Sequence, residues 1–436
     1  MNNNFEKFEK ILYSHSTNRI IPGTQRILKL LDRLGNPQNF FKSVHIVGTN
    51  GKGSTGAFIS SVLRVSGYKT GFYSSPHLEN PAERFLIDGE MLSEDEWIEA
   101  AEKVTAEILL EDEDDKPSYF ETLTACAFLI AREKNIEAGV IEAGLGGKFD
   151  ATNVMNNTAC SVIASISIDH TEYLGNSLES IASEKFAVVK KNTPACFSGV
   201  DESLITLFRN FCEKNQAVPF VVTEETHLEN IKITLEGNSF DFYAPDLELK
   251  NIKTNLFGNF QINNAALALS ALSLMRKNSF PKITETSIRE GMLNAAWSGR
   301  LEIISRKPLI IFDGGHNFDG VAKLCASMNT LFPDIIKNGR IGVIYAVMKD
   351  KNYSGCLELI NKSLLPSFYA STVPDMPRAL SSDELLNAAR NFTWHNIPES
   401  FNNPIEAIKH AVNDGNDLIL VCGSLYFIGW LKGHLK

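Results

Sequence analysis

Residues 44–56 read Val-His-Ile-Val-Gly-Thr-Asn-Gly-Lys-Gly-Ser-Thr-Gly, a β-branched run that breaks into a glycine-rich loop and opens a helix. Gly48, Gly51 and Gly53 let backbone N–H groups turn inward around a phosphate, and the helix that follows aims its positive end at the same point. Lys52 is placed to reach the outer phosphates, and the hydroxyl of Ser54 or Thr55 to touch a magnesium ion. The loop departs from the standard phosphate loop, because Gly53 separates the lysine from the hydroxyl and position 46 is Ile rather than Gly. The alternative, a glycine-rich turn without a ligand, fits the strand–loop–helix context less well. The chain is expected to bind a nucleoside triphosphate.

A chain of 436 residues exceeds one ordinary core, so at least two domains are expected. A net charge of −10 argues against nucleic acid as a partner, which would favour a basic face. The stretch Met1–Tyr13 alternates Asn, Glu and Lys with Phe and Leu and lacks the apolar region of a signal peptide. No uninterrupted apolar stretch is long enough to cross a bilayer. Seven scattered cysteines without a C-x-x-C pair read as reduced core thiols of a cytoplasmic protein, not as a disulfide or zinc framework.

Strands and helices alternate along most of the chain. Val44–Val47, Thr70–Ser74, Ala138–Glu142 and Ser161–Ile166 read as buried strands, and segments near 54–66, 121–134 and 178–190 as helices. That order implies a parallel sheet covered on both faces. The acidic run Glu111–Asp115 reads as a solvated loop. Between Asn230 and Lys253, Ile231, Ile233 and Leu235 alternate with polar residues ahead of a Gly-Asn step, which predicts antiparallel hairpins appended to the first sheet. An Ala- and Leu-rich helix (Asn263–Lys277) follows. Beyond Trp297-Ser298-Gly299-Arg300 a second strand–helix series begins, with strands at Leu309–Phe312, Ile341–Ala346, Phe368–Ser371 and Leu418–Cys422. The domain boundary is therefore placed near residue 297.

Three further constellations sit where strands end. Ser74-Ser75-Pro76-His77 begins a loop, as a Ser-Pro step ordinarily does. Glu142 closes an apolar strand ahead of Gly144-Leu145-Gly146-Gly147; ligands gather beyond the carboxyl ends of parallel strands, so this carboxylate is well placed to hold a metal beside the phosphates. Asp169-His170-Thr171 lies at another carboxyl end, although a lone histidine is usually structural. Ser183-Glu184-Lys185 falls on a predicted helix, where a lysine is ordinarily a solvated charge.

Together these segments resemble the folylpolyglutamate synthase/dihydrofolate synthase family of the murein-type ligases. The likeness runs through Arg26-Ile27, Leu34-Gly35-Asn36-Pro37-Gln38, the loop Gly48–Ser54, Ser75-Pro76-His77-Leu78, Glu83-Arg84 and the stretch Glu142–Asn153. It continues through Asp169-His170-Thr171, Glu184-Lys185, Gly258-x-x-Gln261-x-x-Asn264-Ala265 and Gly299-Arg300. Beyond these lie Asp313-Gly-Gly-His316-Asn317, Asp350-Lys351, Pro377-Arg378-Ala379 and Gly423-Ser424-Leu425-Tyr426. Ser-Pro-His-Leu and Pro-Arg-Ala point to the folate branch rather than the cell-wall branch.

The resemblance implies an α/β protein: an N-terminal P-loop ATPase-type domain (1–296) with a mostly parallel sheet plus a small antiparallel sheet, and a C-terminal Rossmann-like glutamate-ligase domain (297–436). The first domain is expected to bind ATP and the pteroate or folate, and the second to close over them. Asn50, Gly51, Lys52, Gly53, Ser54, Asn264, Arg300, Asp313 and His316 match residues that hold ATP. Two magnesium ions are implied, one on Ser75 and Glu142, the other on His170, with Lys185 carbamylated and facing a cation. Lys52, Lys185 and His170 are the expected catalytic residues. Gly23, Thr24, Phe120, Glu121, Thr122, Phe149, Asp150 and Ala151 match pteroate contacts. Departures concentrate there: Lys148-Phe149 replaces Arg-Leu, Glu79–Ala82 is less basic, and Phe186-Ala187-Val188 replaces Ala-Gly-Ile.

The implied activity is an ATP-dependent ligation of L-glutamate to a folate or dihydropteroate carboxylate through an acyl phosphate. Its partners are small molecules, neither nucleic acid nor membrane, and the chain is expected to act as a monomer. The competing readings are a murein-type ligase acting on a different carboxylate, a non-catalytic nucleotide-binding regulator, and a dinucleotide oxidoreductase. The last lacks the G-x-G-x-x-G fingerprint.

Overall fold

The computed structural model describes residues 5–17, 22–109 and 115–435. It divides into two compact units, one made of Met1–Ile231, Ser239–Thr254 and Asn263–Ala296, the other of Lys232–Asn238, Asn255–Ile262 and Trp297–Lys436.

The first unit is built on an eight-stranded sheet: β1 (Lys42–Val47), β2 (Thr70–Tyr73), β3 (Phe85–Ile87), β4 (Glu90–Met91), β5 (Ala138–Glu142), β6 (Thr158–Ile163), β7 (Ala195–Phe197) and β8 (Pro219–Val221). Their order is β4-β3-β2-β5-β1-β6-β7-β8. Pairing is parallel from β2 through β8, and β3 and β4 add an antiparallel edge. β1, β2, β5 and β6 are buried almost throughout, as strands covered on both faces must be. The helix Lys52–Val65 packs on β1, β2 and β5. The helices Glu94–Ile108 and Tyr119–Glu133 each begin with a reciprocal cap, Ser93 with Glu96 and Ser118 with Glu121, readable as Ser-x-x-Glu. They enclose a core that includes Phe8, Trp97 and Phe128. A second core gathers the rings of Phe186, Phe197 and Phe208, with centroids 5.2 to 5.4 Å apart. Each such ring contributes about 1.5–3 kcal/mol by burial.

The hairpins β9 (His227–Thr234), β10 (Gly237–Ala244) and β11 (Leu247–Thr254) make a sheet of their own, not an extension of the first. Their buried alternation is carried by Phe240 and Phe242 and by Leu247 and Leu249, while Ile231 is exposed. The second unit holds β12 (Glu302–Arg306), β13 (Leu309–Asp313), β14 (Ile341–Tyr345), β15 (Ser367–Ser371), β16 (Glu399–Phe401) and β17 (Leu418–Cys422) in the order β12-β13-β17-β14-β15-β16. Only β12 runs antiparallel. The fold is thus α/β, with two mostly parallel sheets and one small antiparallel one.

The strand expected at Ser161–Ile166 lies at Thr158–Ile163 instead. Past Ile163 the chain leaves the sheet to run beside the glycine loop, where Ser165 bridges Asn50. Residues 111–114 of the acidic run lie outside the described residues; Asp115 forms an exposed ion pair with Lys29 at 2.6 Å. Among the described residues no helix is long and apolar enough to cross a membrane. All seven cysteines are buried free thiols.

Candidate active site

Because β1 lies between β5 and β6, the chain leaving each of these strands emerges at one edge of the sheet, the place where open α/β sheets collect ligands. The loop after β1 is pinned to the segment after β6. The Thr49 amide donates to Ser165 O at 2.7 Å, the Thr49 hydroxyl donates to Ser167 O at 3.1 Å, and the Ser165 hydroxyl donates to Asn50 O at 3.1 Å. Gly51 takes φ +90° to open the helix Lys52–Val65, and a Cβ there would overlap Asn264 Oδ1. Only glycine satisfies both demands. Asn50, Gly51 and Asn264 are thereby drawn together, with Gly53 and the buried Ser54 in the first helical turn.

Lys52 folds back over its own loop. Its Nζ donates to Gly48 O at 3.2 Å and Thr49 O at 3.3 Å, and lies 3.7 Å from Oε1 of Glu142, the buried last residue of β5. Lys185 reaches the same loop from the helix Leu178–Phe186, donating from Nζ to Gly48 O at 3.0 Å. Its neighbour Phe186 is locked in the aromatic cluster, so this turn of helix faces inward and Lys185 is only 4% exposed. Burial, reinforced by the charge of Lys52, pushes the Lys185 ammonium down to about 7, against the pull of Asp169, Asp150 and Glu184. This lysine is not a solvated helix charge.

Gly48, Thr49, Lys52, Ala143–Gly146, Asp169, His170, Leu174 and Lys185 line one small cleft. His170 stands in the left-handed region (φ 51°) ahead of the short helix Thr171–Leu174, with Nε2 3.9 Å from Asp169 Oδ2. Asp169 was absent from the site residues expected from the sequence, although it sits in the same strand-end motif as His170. Ser75 is not among the cleft-lining residues. It follows β2, whose Tyr73 is paired with Ile141 of β5, so the chain beyond β2 leaves the sheet beside Glu142.

Among the described residues no three His, Cys, Asp or Glu side chains converge as a cage for a metal ion. Magnesium keeps several waters and is held by one or two carboxylates together with phosphate oxygens. By donor chemistry alone, Glu142 and Ser75 carry the oxygen atoms that magnesium takes.

On the pteroate side, the Phe120 ring lies against Gly144 so closely that a Cβ on Gly144 would stand 2.5 Å from it. Glu121 is engaged structurally: Oε1 is 3.2 Å from the Arg26 guanidinium, and Oε2 accepts the Ser118 amide at 2.8 Å. Thr122 donates its hydroxyl to Ser118 O. Gly23 and Thr24 precede the helix Gln25–Arg33, which carries Arg26. Phe149 is exposed beneath the Lys148 ammonium, 4.8 Å from the ring centroid, whereas Asp150 and Ala151 are buried.

Within the second unit, Arg300, Asp313 and His316 form one group. Asp313 accepts the amides of Leu301 at 3.0 Å and Gly315 at 2.7 Å, Arg300 lies against Gly314, and His316 Nδ1 is 2.9 Å from Gly314 O. Burial raises the Asp313 carboxyl above the usual range, against the opposing charge of Arg300.

Two family models match the chain: the Mur ligase middle domain over residues 46–272, and the Mur ligase, glutamate ligase domain over 299–425. The dihydrofolate synthase/folylpolyglutamate synthase of Bacillus subtilis is 34% identical over 420 residues, 95% of either chain. The solved structure of Mycobacterium tuberculosis folylpolyglutamate synthase complexed with ADP superposes with a TM-score of 0.91 at 27% identity, covering 99% of this chain and 98% of that one. Escherichia coli FolC in complex with DHPP and ADP gives 0.86 at 27% identity, over 98% and 97%.

Proposed function

This chain belongs to the dihydrofolate synthase/folylpolyglutamate synthase family of Mur ligases and is an ATP-dependent ligase of L-glutamate and a folate-type carboxylate; we propose that the cleft around Gly48, Lys52 and Lys185 is where the carboxylate is activated. One observation carries this reading: Lys52 and Lys185, far apart in the chain, converge on the carbonyl of Gly48, with Glu142 beside them.

The loop amides after β1 and the positive end of the helix Lys52–Val65 receive the ATP phosphates. On meeting phosphate, Lys52 exchanges its carbonyl partners for phosphate oxygens and neutralises charge at the γ-phosphoryl group. The substrate carboxylate attacks that phosphorus, giving an acyl phosphate and ADP, and the α-amine of L-glutamate then attacks the acyl carbon as phosphate departs. The protein contributes mainly positioning and charge stabilisation. Ser75, Glu142 and His170 would hold magnesium, which when bound supplies further charge neutralisation at the phosphates. With its ammonium depressed to about 7, Lys185 holds a share of free amine at neutral pH, the form that combines with carbon dioxide to give a carbamate. The carbamate would present a negative group toward the cation, where an ammonium would repel it.

Asn264 at the loop, and the group Arg300, Asp313 and His316 in the C-terminal domain (297–436), are assigned to ATP. Phe120, Phe149, Asp150 and Ala151 are assigned to the pteroate or folate. Seven buried thiols suit a reducing compartment, and the cytoplasm is the proposed location. The test is phosphate release with MgATP and L-glutamate, comparing dihydropteroate, tetrahydrofolate and a UDP-muramyl substrate. Turnover with either pterin substrate and not with the UDP-muramyl compound is expected; the reverse preference overturns the assignment.

A further inference from the structure

His45 is fully buried at the middle of β1, the strand that delivers the phosphate loop, flanked by Ile141 of β5 and Ser161 of β6. An aliphatic residue would fill this position without burying a polar ring. Only one ring nitrogen has a partner: Nε2 lies 2.8 Å from Thr152 Oγ1, while Nδ1 is buried with none. The Thr152 hydroxyl lies 2.5 Å from Asp150 Oδ1, which also accepts the Thr152 amide at 2.9 Å. The other oxygen, Oδ2, accepts the Leu145 amide at 2.8 Å. Leu145 and Gly144 belong to the loop that lines the cleft with Lys52, His170 and Lys185.

The directions of these bonds follow from counting protons. Both Asp150 oxygens act as acceptors, so the single hydroxyl proton of Thr152 goes to the carboxylate and its oxygen is left to accept from His45. The imidazole is then the Nε2–H tautomer with a bare Nδ1, and a buried bare acceptor is tolerated better than a buried N–H without a partner. Burial, with the charge of Lys190 added, holds the ring neutral by pushing it down to about 3.

We propose that His45 is a positioning residue of the ligase: through Thr152 it orients the Asp150 carboxylate on the Leu145 amide and thereby fixes the glycine loop of the cleft. The proposal rests on the cleft being the reaction site. It adds no contact with substrate and acts through loop geometry, so its effect belongs in kcat more than in ATP affinity.

The test uses Thr152→Val, which removes the hydroxyl at constant shape, Thr152→Ser, which keeps it, and His45→Phe. Thr152→Val is expected to lower kcat about tenfold with the KM for ATP changed by less than about twofold, and Thr152→Ser to restore most of it. His45→Phe combined with Thr152→Val should be no slower than the worse single variant, because both break one chain. Amide hydrogen exchange at Leu145 should quicken in Thr152→Val, and 15N spectra of the wild-type imidazole should show Nε2 protonated and Nδ1 bare. Wild-type kcat and unchanged Leu145 exchange in Thr152→Val overturn the proposal, as does an Nδ1–H tautomer or an equal loss in Thr152→Ser. Exchange and tautomer are read without turnover, so they test the chain even where the wild-type protein fails the ligase assay.

Discussion

Lys185 and Gly48, 137 residues apart, are joined by a 3.0 Å hydrogen bond from the lysine Nζ to the carbonyl oxygen that also accepts from Lys52. Two ammonium groups therefore share one acceptor, and burial together with the charge of Lys52 lowers the proton affinity of Lys185. The phosphate loop is held from inside the protein by a lysine on the verge of neutrality.

A consequence for stability follows by linkage. The folded-state value of Lys185 is about 7 against an ordinary 10.5, so between these values the unfolded chain holds a proton that the folded chain lacks, and stability rises with pH. Below the folded value the cost of the buried ammonium is present in full. In carbon dioxide-free buffer, Lys185→Met should exceed the wild type in urea midpoint at about pH 6, with the advantage shrinking by about pH 9. A difference independent of pH would mean that Lys185 keeps its proton throughout.

Lys52→Ala is expected to leave urea unfolding nearly unchanged, since among the described residues the side chain bonds to carbonyls of its own loop and lies 3.7 Å from one carboxylate. Turnover should fall by at least a hundredfold, about 3 kcal/mol of transition-state stabilisation for one lost charge at the transferring phosphoryl group. Near-normal kcat/KM in a folded Lys52→Ala protein would remove the loop from the mechanism.

What could be read from the sequence was what is local. The loop 48–54 declares itself because strand, glycines, lysine and helix are contiguous, and β1, β5, β14 and β17 stand out as apolar runs. Ala195–Phe197 and Pro219–Val221 are three residues each, too short to show a period, and were not expected as strands. The Asn230–Lys253 hairpins were legible as antiparallel, but pairing partners are set by tertiary packing, so their separation from the first sheet was not. Spacing treats Lys185 as a solvated charge, because its burial depends on Phe197 and Phe208 receiving Phe186. The chain from His45 to Asp150 needs Thr152, 107 residues away, and has no signature in local pattern.

Glu142→Gln preserves shape and removes the charge beside Lys52. Activity is expected to fall steeply and to recover in part as magnesium is raised, because a weakened site can still be filled by mass action. The check is a magnesium titration of phosphate release for both proteins. Unchanged activity with an unchanged magnesium dependence would make Glu142 a strand-end residue and nothing more.

The proposed carbamate at Lys185 is open to a test by replacement. Lys185→Ala removes the group that would carry it, so the variant should be inactive, and a short carboxylic acid in the buffer should restore some turnover by occupying the vacated space. The wild-type enzyme should slow when bicarbonate is depleted and recover when it is returned, since an unmodified ammonium repels a cation. An ordinary surface lysine would cost under about 0.5 kcal/mol in stability and leave activity intact. At 4% exposure beside Gly48, Lys185 is no such residue, and its loss also opens a hole behind the phosphate loop. Rescue by a carboxylic acid separates the two effects, because a merely structural hole would be filled as well by an alcohol of the same size. Equal rescue by acid and alcohol, or full activity in Lys185→Ala, would remove the carbamate and leave His170 as the protein group for the second cation.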